Sequence, residues 1–170
     1  MHIEEFIPNQ QFKAIENGAV RSTAPSNIAL IKYWGKKPHQ IPANPSISFT
    51  LNNAKTTTTL NYQRKSSKGF SFEVFLEGKL KEDFKPKIQQ FFQRILAYTP
   101  YLETFHFVIQ TSNTFPHSSG IASSASGMSA LALCLMQLES ALYKGLDADY
   151  INRKASFLAR LGSGSACRSI

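Results

Sequence analysis

Cysteine is scarce in this 170-residue chain, which carries only Cys134 and Cys167. Two cysteines cannot frame a disulfide-stapled fold, and neither stands in a zinc-ligand spacing. Cys134 lies in an apolar helical run, where a thiol behaves as a small hydrophobe. His2, His39, His106 and His117 also lack metal-ligand spacing, and only His117 adjoins a segment of functional interest. Long apolar runs are missing too. The longest, Ala130 to Met136, is far short of the roughly 20 residues a bilayer requires, and no basic-then-apolar leader opens the chain. A cytoplasmic protein with no membrane partner is expected. Acidic residues are few: eleven Asp and Glu against nineteen Lys and Arg leave +8, which favours anions such as phosphate esters or nucleic acid. No Gly-x-x-x-x-Gly-Lys-Ser/Thr string occurs, which excludes a Walker A loop. The string Gly162-Ser163-Gly164-Ser165-Ala166-Cys167 lacks the third glycine of a dinucleotide fingerprint and follows a helix rather than a strand.

What is present reads as one α+β domain over residues 1–170. Hydrophobic residues make up 42%, and strand-like and helix-like patterns interleave without a linker or repeat. Ile28 to Ile31, the alternating Ile47, Phe49 and Leu51, and the Thr-rich Lys55 to Tyr62 read as strands. Phe70, Phe72, Val74 and Leu76 line one face of another, and Phe105, Phe107 and Ile109 return to period two. Phe84 to Leu96 follows helical spacing with Pro86 in its first turn. A long helix from about Ile121 to Tyr143 is apolar on nearly every face and must be central. A last helix, Ala148 to Leu161, has Asp147 as N-cap and Gly162 as its stop.

Three segments have the residues for chemistry. In Pro116 to Ser126, small residues and serines lead into the buried helix. Backbone N–H groups at its start, with serine hydroxyls, suit a phosphate; a serine-rich cap packing on a neighbour is the plainer reading. Ala24 to Lys37 runs an apolar strand out into Lys32, Tyr33, Trp34, Gly35, Lys36 and Lys37, a cationic and aromatic cluster suited to a polyanionic ligand, or a strand end with snorkelling lysines. Gly162 to Ser169 offers serine hydroxyls and the Arg168 fork, or a flexible tail. A fourth string, Lys68-Gly69-Phe70-Ser71-Phe72-Glu73-Val74-Phe75, matches five of the seven specified positions of an RNA-recognition signature. Glu73 stands where Val is required, and a strand precedes it where that fold needs a helix, so no specific nucleic-acid partner is expected.

Asn27-Ile28-Ala29 through Lys32-Tyr33-Trp34-Gly35-Lys36, then Gly120-Ile121-Ala122-Ser123-Ser124-Ala125, then Gly162-Ser163-Gly164-Ser165-Ala166-Cys167-Arg168-Ser169 resemble, in order, three signatures of the diphosphomevalonate decarboxylase family of the GHMP kinase superfamily. The serine loop alone points only to the superfamily; the other two are more specific. The resemblance runs from about Ala24 to Ile170 and implies the superfamily's N-terminal domain, similar to the second domain of ribosomal protein S5. It implies ATP and Mg²⁺ as cofactors. The implied reaction is ATP-dependent decarboxylation of (R)-5-diphosphomevalonate to isopentenyl diphosphate, with phosphomevalonate decarboxylase and mevalonate 3-kinase as near alternatives.

Carried over by position, Ser118, Ser119, Gly120, Ile121, Ala122, Ser123 and Ser124 bind the nucleotide, with Ser123 on the metal and Ser124 near the transferred phosphate. Tyr33, Trp34, Gly35, Lys36, Ser163, Gly164, Ser165, Ala166, Cys167 and Arg168 hold the substrate. Lys32 and Arg168 join Ser124 as catalytic groups, and Asn27 orients Arg168. The family's catalytic aspartate lies in a C-terminal half that no acidic residue here matches. This chain is therefore expected to be an N-terminal portion that binds ligands without turnover and leaves apolar surface uncovered. A homodimer is expected of the full-length enzyme.

Overall fold

The computed structural model describes residues 3–116 and 120–170. Its elements are β1 (Asn17–Ile31), β2 (Lys36–Lys37), β3 (Ile41–Pro42), β4 (Ile47–Arg64), β5 (Ser71–Leu76), β6 (Lys79–Leu80), α1 (Lys85–Ile95), β7 (Phe105–Asn113), α2 (Ser123–Leu142) and α3 (Ala148–Gly162). Five strands form one sheet in the order β1-β4-β7-β5-β6, with only β5 and β7 parallel; β2 and β3 pair separately. α2 crosses β1 and β4, α3 lies against α2, and α1 lies against α3, so helices cover one face.

Period-two alternation decides that face. Thr56, Thr58 and Leu60 of β4 are buried, as are Phe105, Phe107 and Ile109 of β7 and Val74 and Leu76 of β5, while their sequence neighbours point the other way. Between sheet and helices an aromatic cluster centres on Phe92, which Phe72 and Phe107 meet edge-on at 5.2 and 6.0 Å. By length and composition α2 would pass as a bilayer-spanning helix, yet 72% of its most apolar window is buried in this core. Cys134 packs there as expected, its thiol donating to the Thr58 carbonyl at 3.2 Å and pushed up to about 11 by burial.

Several expected elements change extent. β1 starts eleven residues before Ile28, because Asn17 to Pro25 pairs with Lys55 to Gln63. The two strands expected around Leu51 and Lys55 are one, β4, interrupted by an irregularity that skips Asn52 to Ala54 opposite Pro25/Ser26. A bulge is where a proline, which has no N–H, fits a sheet. Asp147 does cap α3, accepting from the Tyr150 N–H at 2.7 Å. Gly162, expected as the stop, instead ends the helix proper: a Cβ there would lie 2.7 Å from Met128 Sδ and 3.0 Å from Phe91 Cδ2. Close packing, not a left-handed turn, requires that glycine. Past it the chain is no tail; Ala166 to Ser169 forms a 3₁₀ turn with Ala166 and Ser169 buried. Ile28, Leu30, Ile31, Ile47 and Phe49, at the end of the β1–β4 pair, stay exposed.

Candidate functional site

The N-terminus of α2 positions the site. Gly120 takes φ 78° and Ala122 φ 31°, both left-handed, so the chain turns sharply before the first helical residue. Glycine adopts this freely, whereas for Ala122 it is strained by about 1–2 kcal/mol. Buried Ser26, at the bulge of β1, holds the turn by donating to the Ile121 carbonyl at 2.6 Å. No side chain caps the helix, and among the described residues the Ser123 and Ser124 N–H groups have no partner. Such a helix start attracts an anion.

On one side of it opens a cleft of about 430 Å³ lined by Asn27, Ile28, Ala29, Lys32 and Tyr33 from the end of β1, Gly120 and Ala122 from the turn, and Ser165 and Arg168 from the last segment. All three sequence segments therefore meet there. Among the described residues no carboxylate lines it, whereas Lys32 and Arg168 do. Arg168 is held in place from below: Asn27, 2% exposed, donates to Ser165 O at 3.2 Å and to Ser169 Oγ at 2.8 Å, and Ser129 donates to Ala166 O at 2.7 Å. The guanidinium lies 6.0 Å from the Tyr33 ring centre, as does the Lys36 ammonium. Arg168 Nη1 is buried with no partner among the described residues. A buried guanidinium N–H left unpaired beside an open cleft is a donor set for carboxylate or phosphate.

Other expected residues stand around the cleft rather than in its wall. Gly164 packs under Tyr33, where a Cβ would meet the phenol oxygen at 2.3 Å; at Gly35 it would meet Ala43 Cβ at 3.3 Å. Lys36 Nζ donates to Gln40 Oε1 at 2.5 Å, and Gln40 in turn donates to Leu161 O at 2.8 Å. Ser163 is the C-cap just past α3, its N–H on Ala159 O at 2.9 Å. Ala166 is wholly buried and its carbonyl accepts from Ser129, so it anchors the segment from below. The Cys167 thiol donates to Gly164 O at 3.6 Å; burial raises its pKa, opposed by Arg160 and Arg168. Trp34 is 88% exposed and reaches open solvent. Ser118, Ser119 and His117 lie outside the described residues.

Ser123 and Ser124 face away from that cleft, into a second cavity of about 380 Å³ on the other side of the helix start. Its walls are chiefly apolar, from Val74, Leu76, Phe84, Ile88, Ile109 and Met128, with Lys87 and Asp83 at the α1 side. Burial lowers the Lys87 ammonium below its ordinary value, and it forms no ion pair among the described residues. Sequence reasoning missed this cavity, because its lining comes from five separated elements, β4, β5, α1, β7 and α2. It also missed Asn44, whose side chain accepts from Trp34 N at 2.9 Å and donates to Lys32 O at 3.3 Å, fixing the cationic segment; the Asn-Pro pair there was the available signal. In the RNA-like string, Phe70 and Phe72 are half-buried and pack edge-on against Phe92 at 5.7 and 5.2 Å, at the margin of the core.

Residues 24–170 match the profile of the diphosphomevalonate decarboxylase-like N-terminal domain. Diphosphomevalonate decarboxylase of Bos taurus is 34% identical over 167 residues, covering 89% of this chain and 38% of its own. The mevalonate diphosphate decarboxylase structure from Staphylococcus aureus superposes with TM-score 0.72 at 33% identity, over 91% of this chain and 44% of that one. A structure holding MVAPP, the ATP analogue AMPPCP and magnesium superposes with TM-score 0.68 at 35% identity, over 89% and 44%. This chain spans less than half the length of each.

Proposed function

The chain belongs to the diphosphomevalonate decarboxylase-like family, and we propose on that premise that it supplies the anion-binding part of an ATP-dependent decarboxylation of 5-diphosphomevalonate. The observation that carries the proposal is the cleft, lined by no carboxylate among the described residues, in which Arg168 Nη1 is buried with no partner among them and which Lys32 also lines, at the uncapped start of α2. In the reaction the substrate's tertiary hydroxyl takes the γ-phosphoryl group, and the phosphate then leaves as the carboxylate departs as CO₂. The products are isopentenyl diphosphate, ADP and phosphate. A tertiary alcohol leaves poorly and its phosphate ester well, so the protein's part is positioning and charge stabilisation.

Each side of the helix start has a role in this reading. Arg168, steadied by Asn27, takes the substrate carboxylate, while Lys32 and the Tyr33–Lys36 edge take the diphosphate. Gly120, Ile121 and Ala122 bring bare backbone to the phosphates. The apolar cavity beyond Ser123 and Ser124 suits a flat heteroaromatic base, with Lys87 toward its phosphates. Mg²⁺ is satisfied by phosphate oxygens, water and few protein groups, so the Ser123 hydroxyl fits as its single ligand here, and the ion would neutralise charge on the transferring phosphate. The described residues lining the cleft include no carboxylate and no histidine, and this reading takes the chain alone to bind ligands without turnover.

Calorimetric titration with 5-diphosphomevalonate, with and without Mg-ATP, tests the proposal. Saturable binding that falls at least tenfold in Arg168→Ala, a loss of about 1.4 kcal/mol, is expected. Unchanged affinity in that variant would overturn the assignment. Turnover by the 170-residue chain would overturn the inactivity.

A further inference from the structure

We propose a second binding site, for a small primary ammonium ion, at the far end of α2 from the anion cleft. It does not depend on the decarboxylase reading. Glu139 stands sixteen residues along α2 from Ser123, about 24 Å at 1.5 Å per residue. There the C-terminal turns of α2, the first turn of α3 and the N-terminal segment enclose a cleft of about 160 Å³, lined by Glu5, Gln10, Glu139, Tyr143, Leu146 and Tyr150 among others.

Two buried polar atoms in this cleft have no partner among the described residues. Glu139 is 1% exposed; its Oε1 accepts from Lys154 Nζ at 2.6 Å, and its Oε2 is buried with no hydrogen-bond partner of its own among the described residues. Tyr143 is 6% exposed, and its hydroxyl is likewise buried and unpaired. Tyr101 stands close enough to the Glu139 carboxylate for its hydroxyl to bear on it, but that hydroxyl's hydrogen bond is to the Leu135 carbonyl at 3.0 Å, and the Tyr143 oxygen still has no partner among the described residues. Native interiors rarely leave such atoms unpaired, and an acceptor-only carboxylate oxygen calls for a donor.

The charge balance selects a cation. The ion pairs here set Glu5, Glu139 and Asp149 against Arg153 and Lys154, one negative charge in excess within that paired network, with Lys13 and Lys144 adjoining the helix end but in no ion pair among the described residues. Both cations are already engaged: Arg153 bonds Glu5 at 2.7 Å and Asp149 at 2.8 Å, and Lys154 bonds Glu139. The negative end of the α2 dipole adds to the field, and the Tyr143 and Tyr150 rings offer cation–π walls. At about 30 Å³ per water, the volume holds roughly five non-hydrogen atoms. An alkylammonium of that size has three N–H donors for Glu139 Oε2, the Tyr143 oxygen and one oxygen at the mouth.

The test is an amide NMR titration of the 170-residue chain with ethylammonium chloride, beside sodium chloride and tetramethylammonium chloride at equal ionic strength. Saturable shifts confined to residues 5–10 and 139–150 are expected with ethylammonium, with Kd of order millimolar for so small a ligand. Tetramethylammonium carries the charge without the N–H donors and should give none. Tyr143→Phe, which leaves the Lys154–Glu139 pair intact, should weaken binding at least fivefold while the remaining spectrum is unchanged. Identical linear drift in all three salts, full affinity in Tyr143→Phe, or a soaked crystal with only water on Glu139 Oε2 would each overturn the proposal.

Discussion

Replacing Gly164 by alanine should damage the anion cleft far more than the fold. The backbone at Gly164 is not left-handed, so alanine is tolerated conformationally, and the obstacle is the Tyr33 hydroxyl, 2.3 Å from the new Cβ. Tyr33 is only partly buried, and its phenol sits at the end of a two-torsion side chain, so the ring swings out rather than the backbone shifting. What is lost is the pair of cation–π contacts to Lys36 and Arg168, each about 0.5–1 kcal/mol at such exposure, for a total of about 1–2 kcal/mol. With the ring displaced, one wall of the cleft goes too, and affinity for inorganic pyrophosphate should fall roughly tenfold. Tyr33→Phe supplies the control. Without the hydroxyl, the nearest remaining Tyr33 atom is the ring carbon Cζ at 3.2 Å, close enough to ordinary contact for a small shift to absorb. The Gly164→Ala/Tyr33→Phe double variant should therefore recover most of both losses. Urea unfolding followed by circular dichroism, with calorimetry of pyrophosphate, measures the full cycle. If the two substitutions prove additive within about 0.5 kcal/mol, Tyr33 is not packed on Gly164 and the reasoning fails.

Other perturbations follow from the same geometry. Gly162→Ala should destabilise by about 1–3 kcal/mol despite alanine's better helix propensity, because Phe91 is 1% exposed and cannot retreat from the new Cβ; a urea midpoint at or above that of the parent would contradict this. Asn27→Ala strands the Ser165 carbonyl and the Ser169 hydroxyl, and should cost about 1–3 kcal/mol by urea unfolding together with weaker anion binding. Burial raises Glu139 and lowers Lys154, with their mutual attraction opposing both shifts. Stability of the parent should then fall as pH rises from the unfolded Glu value, near 4.5, through the raised folded value. It should recover as pH rises from the lowered folded Lys154 value toward 10.5. The double variant Glu139→Leu/Lys154→Met should flatten both limbs and add about 1–4 kcal/mol at neutral pH, readable from thermal melts across pH; unchanged limbs would show that other groups set them.

Much of this molecule was legible in order along the chain. Alternation in Phe105, Phe107 and Ile109, helical spacing in Phe84 to Leu96, the all-round apolar α2 and the Asp147 cap are local patterns, and local periodicity and hydrogen bonding form them whatever lies elsewhere. Lys-Tyr-Trp-Gly-Lys, the serine loop and Gly-Ser-Gly-Ser-Ala-Cys-Arg-Ser likewise marked the candidate segments and the family by residue type alone. What no window of sequence contained was their mutual placement. Pairing with β4 lengthened β1 and set the bulge that presents Ser26 and Asn27. The approach of Met128 and Phe91, rather than a left-handed turn, accounts for the glycine at 162. The left-handed Ala122 sends Ser123 and Ser124 into one cavity and Gly120 into another. Each of these depends on contacts between residues tens of positions apart, whose distances are set by core packing and strand register. Residue chemistry along the chain could nominate the groups, but only the tertiary contacts could leave Arg168 Nη1 unpaired at the mouth of a cleft.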